Sequence, residues 1–226
     1  LYLHEESSIL GEKELMRHCT VIAATGPATI EGETYISQTW DESYEDFWEG
    51  DKPLLLHEKR KSGPDVLEYA YPGLLAATGM NSEGLSITWT STPRAPFEIG
   101  VPTYVIITEI LRRKTIAEAL EAIMNAKRAG SFKFTIADRN GEIYVVEATP
   151  QHHHLIYVDD FYGYHGDFES NDIRKEIPPH KVDIPIYVVP ANRVRKLLKM
   201  AHGKLDINVL KSIFSDQYIC CHPIQK

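Results

Sequence analysis

Cys19-Thr20-Val21-Ile22-Ala23-Ala24 is followed, after Gly26-Pro27 and Gly32, by Thr34-Tyr35-Ile36-Ser37-Gln38-Thr39-Trp40-Asp41. The first segment is apolar and β-prone, and the second alternates in the way a half-buried strand does. The glycines and proline between them break the chain where a reversal is needed. Together they predict a β-hairpin with Cys19 at its beginning. A papain-like Cys-His arrangement, in which a helix follows the cysteine, fits this stretch less well, because Thr20, Val21 and Ile22 are stiff, strand-forming side chains.

Working outward, Val66-Leu67-Glu68-Tyr69-Ala70-Tyr71 predicts another strand, leading through Pro72-Gly73 to Leu74–Gly79. Leu85-Ser86-Ile87-Thr88-Trp89-Thr90 continues the sheet after the turn Asn81-Ser82-Glu83-Gly84. Tyr104 to Leu111 is apolar on more than one side, as a helix packed on a sheet should be. Thr115 and Glu118 form a capping box that opens a helix over Ile116 to Ala129, with Gly130 as its stop. Phe132 to Ala137 and Ile143 to Ala148 flank Asp138-Arg139-Asn140-Gly141, where Asn-Gly suits the positive φ angles of a tight hairpin. Asn192 to His202, ended by Gly203, and Ile207 to Phe214, capped by Asp206, predict a late helical pair. Strands, two helices, strands and two helices in that order indicate an α+β layered domain rather than alternating βαβ units.

The 226 residues, 43% hydrophobic and 25% charged, are enough for one large core. A net charge of −8, with no basic run longer than Lys59-Arg60-Lys61, argues against nucleic acid or an anionic membrane as the main partner and favours a small molecule. No stretch approaches the ~18 apolar residues of a membrane span, and Leu1-Tyr2-Leu3-His4-Glu5-Glu6 does not resemble a signal peptide. The cytoplasm is slightly favoured as compartment, and oligomeric state is open.

Three cysteines, Cys19, Cys220 and Cys221, make no disulfide framework, and the adjacent pair lacks the spacer of a zinc or redox motif. Cys220 and Cys221 are expected to pack in a strand or at its end. His152-His153-His154 does not converge readily on a metal, because successive strand residues face opposite ways. His18 beside Cys19 has poor geometry for a base. Asp41 precedes Glu42, Glu45, Asp46 and Glu49 and on its own reads as one charge of an acidic loop; Asn81 on its own reads as a turn former. Trp40, Tyr44, Phe47 and Trp48 suggest an apolar acyl pocket or its rim.

The Cys19-Thr20 opening, the return Gln38-Thr39-Trp40-Asp41 and the downstream Gly79-Met80-Asn81-Ser82-Glu83-Gly84-Leu85 together resemble the acyl-coenzyme A:6-aminopenicillanic acid acyltransferase family and its choloylglycine-hydrolase relatives. The likeness continues through Val145-Val146-Glu147-Ala148-Thr149-Pro150 and Ile219-Cys220-Cys221-His222-Pro223. It implies an N-terminal-nucleophile hydrolase fold, a four-layer αββα sandwich. It also implies an amidase or acyltransferase of linear carbon–nitrogen amides or thioesters, working without metal or organic cofactor.

On this resemblance Cys19 is the nucleophile, exposed by self-cleavage of a leader covering residues 1–18, and 19–226 is the catalytic domain, expected to be incomplete at its C-terminal end. Asp41 matches the acid opposite the nucleophile and Asn81 the oxyanion donor, with Gln38 and Trp40 as pocket wall. Where relatives carry Asn-His-Phe, this chain reads Tyr164-His165-Gly166-Asp167-Phe168, with Asn171 nearby but out of register. The slot of a late-helix Arg holds Pro190, with Arg193 and Arg195 as displaced candidates. The competing expectation is an unprocessed or degenerate relative that keeps a binding pocket without catalysis.

Overall fold

The computed structural model describes residues 19–41, 53–72, 76–92, 95–179 and 182–220. The proposed leader and His18, the acidic run with Tyr44, Phe47 and Trp48, Leu74 and Leu75 of the expected sheet segment, and Cys221 with His222 lie outside them.

Among the described residues, ten strands form two antiparallel sheets. The small sheet has the order β10-β1-β2, from β1 (Thr20–Ala24), β2 (Tyr35–Gln38) and β10 (Phe161–His165). The large sheet follows chain order: β3 (Leu54–Glu58), β4 (Val66–Ala70), β5 (Thr78–Asn81), β6 (Ser86–Ser91), β7 (Phe132–Ala137), β8 (Ile143–Ala148) and β9 (His153–Val158). The helices are α1 (Thr103–Ile110), α2 (Ile116–Met124), the short α3 (Asn171–Arg174), α4 (Pro185–Met200) and α5 (Ile207–Phe214).

Strand alternation explains the layering. On β1, Val21 and Ala23 meet Ala137, Ile143, Val145 and Val158 of the large sheet, whereas Ile22 and Ala24 meet Val194, Leu198, Leu210 and Ile213 of α4 and α5. On the far side, Ile87, Trp89, Phe134 and Ile136 pack under Ile107, Ile110, Ala119 and Ile123 of α1 and α2. The result is helix, sheet, sheet, helix, the αββα sandwich, with β1 buried on both faces as the central strand of the small sheet.

The β1–β2 hairpin forms as expected, with Val21 opposite Gln38. The Thr115 capping box is present in full, and Asp206 caps α5 by accepting the Val209 N–H at 2.7 Å. In the β7–β8 hairpin Gly141 takes the positive φ (93°), and Asn140 does not; Asp138 instead accepts the N–H of Asn140 and of Glu142.

Three expectations are corrected. Helix α2 ends at Met124, not Ala129, because Arg128 turns back to cap it. Its buried guanidinium donates to the carbonyls of Ile123, Met124 and Ala126 and, across the turn after β8, to Thr149 and His152, while Arg128 itself bridges to Val101. Helix α4 begins at Pro185, seven residues before Asn192, and carries Pro190 in its second turn, where the ring removes one helical donor. Cys220 is exposed in a turn after α5, not packed in a strand.

Candidate active site

Cys19 directly precedes β1 and is 9% exposed. Alternation puts it on the same face as Val21, toward the large sheet. The residue after it is fixed from three sides. The Thr20 N–H donates to Thr39 Oγ1 at 3.0 Å, the Thr20 carbonyl accepts from the Thr39 N–H at 2.9 Å, and Thr20 Oγ1 meets Nδ1 of fully buried His165 at 2.7 Å. Thr39 Oγ1 in turn donates to Asp41 Oδ2 at 2.8 Å. Asp41 is thereby tied, through one hydroxyl, to the peptide that joins Cys19 to Thr20.

Gln38 extends from β2 to the large sheet, where its Oε1 accepts the Trp89 N–H at 3.1 Å. Strand β5 pairs with β6 only as far as Ile87, so Gln38 occupies an edge that β5 has left. Backbone alternation places the Ser91 N–H on that same edge. Trp40 packs its ring against Tyr71 (5.5 Å between centroids), Trp89 (5.8 Å) and Tyr69 (6.1 Å), forming an aromatic wall beside the hairpin end that carries Cys19.

Asn81 is not brought to this group. Its Nδ2 donates to the carbonyls of Leu111 (3.2 Å) and Arg113 (2.8 Å) at the end of α1, and its Oδ1 accepts the N–H groups of Glu83 and Leu85. Both amide protons are committed on the outer face of the large sheet, opposite the face that meets Cys19. Asn81 therefore locks the β5–β6 turn onto α1, and the geometry does not support an oxyanion role for its side chain.

Below Cys19 lies a polar cluster that sequence reading did not anticipate. Lys133 and Glu147, neighbours across β7 and β8, pair at 2.9 Å with both side chains fully buried. Lys133 Nζ also donates to the Tyr162 hydroxyl at 3.1 Å and to Glu169 at 3.2 Å, and sits 4.3 Å from the centre of the Tyr164 ring. Tyr164 spans the inter-sheet layer to Thr135 Oγ1 at 2.8 Å. Burial pushes the Tyr164 phenol upward, Lys133 and Thr135 oppose it, and Cys19 adds to the rise. Burial also works to raise the Glu169 carboxyl, but Lys133 and Arg195 outweigh it and hold it below its ordinary value.

Of the late candidates, Arg195 bonds Glu169 and the Gly163 carbonyl. With His165, Asn192 and Tyr187 it lines a cavity of about 260 Å³ next to the small sheet. Arg193 instead clamps Asp216 beyond α5, and Asn171 is exposed at the start of α3. His152 bonds Glu176 at 2.8 Å, while His153 and His154 lie opposite Ala148 and Glu147 on alternate faces of β9. No helix among the described residues is long and apolar enough to cross a membrane.

Comparison with solved structures bears out the fold. A variant of the conjugated bile acid hydrolase from Clostridium perfringens superposes with a TM-score of 0.60 at 14% identity, over 89% of this chain and 78% of that one. Penicillin V acylase from Agrobacterium tumefaciens also matches, at 11% identity and a TM-score of 0.44, over 92% of this chain and 65% of that one. No curated protein sequence matches significantly. A sequence model described as acyl-coenzyme A:6-aminopenicillanic acid acyl-transferase matches residues 33–165. That span is more than half of the chain and includes Gln38, Trp40 and Asp41. The chain is therefore a member of the acyl-coenzyme A:6-aminopenicillanic acid acyl-transferase family, an enzyme of the acyltransferase type.

Proposed function

We propose that this protein cleaves or transfers the acyl group of a linear carbon–nitrogen amide through an acyl-enzyme on Cys19, after the chain is cut just before that residue. The observation that carries the reading is the relay from the Thr20 N–H through Thr39 to Asp41, which holds a carboxylate at the start of the strand where a new α-amine would stand.

A thiol with a pKa of about 8.5 is little ionised at neutral pH, whereas an α-amine titrates near ~7.7 and serves as a base within its own residue. The Cys19 amine takes the thiol proton, and Sγ attacks the amide carbonyl. Asp41 stabilises the ammonium so formed. The tetrahedral oxyanion is met by the Ser91 backbone N–H, on the β6 edge beyond Gln38, and one such donor is worth about 10²–10³ in rate. Collapse expels the amine, which takes its proton from the α-ammonium, and leaves a thioester. Water or an acceptor amine then releases the acyl group. Gln38 holds the β6 edge against β2, and the Trp40 wall faces the acyl portion of a small-molecule substrate.

Intact-mass spectrometry of the wild type and of Cys19→Ala tests this. Loss of everything before residue 19 in the wild type alone supports the reading. An uncut wild type whose Cys19 also resists iodoacetamide leaves the non-catalytic relative as the correct description.

A further inference from the structure

The inner face of the large sheet is wider than the small sheet that covers it. Strand β2, the edge of the small sheet, packs over β6 and β7, and β3, β4 and β5 extend beyond it. Register fixes which side chains this leaves on the inner face. Met80 pairs with Leu67 and Thr78 with Tyr69, and Leu55 pairs with Tyr69 from the other side, while Val66 and Asn81 point outward to α1. Apolar side chains dominate this part of the face, with Thr78 and Ser86 among them and His57 at the β3 edge. Leu55 is 71% exposed, Met80 49% and Leu67 38%.

This strip is continuous with the candidate active site. Trp40, on the turn beside Cys19, rests its ring on Tyr69 and Tyr71. From there the face runs over Tyr69 and Leu55 to Leu67 and Met80. The four residue steps from Tyr71 to Leu67 span about 14 Å at the ~3.4 Å rise of a strand. Contiguous exposed apolar surface of this kind marks a binding face more often than chance. Its shape is long and narrow, His57 borders it on β3 opposite Leu67, and its aromatic end lies at the nucleophile.

We propose that this strip receives the acyl group of the substrate, and that the acyl group is a linear, apolar chain lying along β4 away from Cys19. The proposal rests on the reading of Cys19 as the acyl-accepting residue, and it names the acyl class which that reading leaves open. An amide with a short or strongly polar acyl group would leave Leu55, Leu67 and Met80 in water.

Straight-chain carboxylates from butanoate to dodecanoate, which stand in for the acid released on hydrolysis, are titrated by calorimetry into the wild-type full chain. Affinity is expected to rise up to about fourfold for each added methylene, so that dodecanoate binds at least a hundredfold more tightly than butanoate. Leu55→Asp and Met80→Lys, at exposed positions that tolerate charge, are expected to remove most of that gain. Affinity that does not depend on chain length overturns the proposal, as does dodecanoate binding that ignores both substitutions. So does failure to bind accompanied by a self-associating protein that either substitution makes monomeric, since the strip is then a contact between copies. The titration does not use the thiol, so failure of the catalytic reading appears in the mass spectrum and not here.

Discussion

Lys133 and Glu147 face each other across β7 and β8 at 2.9 Å with no solvent at either side chain. Glu147 also accepts the N–H groups of Glu169 and Ser170, so the pair joins the inner sheet face to the chain leaving β10. Removing one partner leaves an uncompensated buried charge. Lys133→Met is expected to lower unfolding free energy by about 3–5 kcal/mol in urea denaturation. Adding Glu147→Gln should restore part of that loss, because the neutral amide still accepts from the backbone of Ser170.

The Thr39 hydroxyl links the Thr20 peptide to Asp41. Thr39→Val keeps the shape and removes the hydroxyl. We expect kcat on an acyl amide to fall by roughly tenfold, equivalent to about 1.4 kcal/mol, with KM changed less than about twofold. Thr39→Ser should retain most of the rate. Equal losses in both variants would mean that packing, not the hydroxyl, matters.

Asn81 separates a structural role from a chemical one. Asn81→Ala removes its four side-chain hydrogen bonds and is expected to cost about 2–4 kcal/mol of stability. Measured well below its melting temperature, kcat should stay within about threefold of wild type. A loss of about 10²–10³ in kcat, the cost of an oxyanion donor, would contradict this assignment.

The charge on Glu169 gives a sign for pH dependence. Its carboxyl is held below its ordinary value in the folded state, so the unfolded chain binds a proton first as pH falls. Its contribution is present above about pH 4.3, the ordinary glutamate value, and is lost as pH drops through the lower folded value. Glu169→Gln should flatten this acid limb in unfolding curves collected from pH 6 to 3. An unchanged limb would mean other carboxylates set it.

What could be read from the sequence was what is local. The β1–β2 hairpin, the Thr115 capping box and the Asp206 cap each depend on residues a few positions apart, and the structure has all three. The αββα layering came with the resemblance and not from periodicity. Strand β3 escaped notice because Leu54-Leu55-Leu56 does not alternate, being exposed on both faces of an edge strand. The start of α4 was hidden by Pro190, and the end of α2 by an arginine cap that draws on carbonyls more than twenty residues away. Thr39 and Lys133 were missed because their partners are set by tertiary register. The one available signal was a charged residue at an inward position in the otherwise apolar Phe132–Ala137. Asn81 was misassigned for the complementary reason, since its motif does not say which face of the sheet it will occupy.

Arg128 has a wider consequence. One guanidinium closes the end of α2 and the turn between β8 and β9, so neither can open without stranding the donors that serve the other. Helix and turn thus form a single cooperative unit for hydrogen exchange, with protection that rises and falls together although more than twenty residues of chain separate them. The outer helical layer is in this way held to the same sheet that carries Lys133 and Glu147.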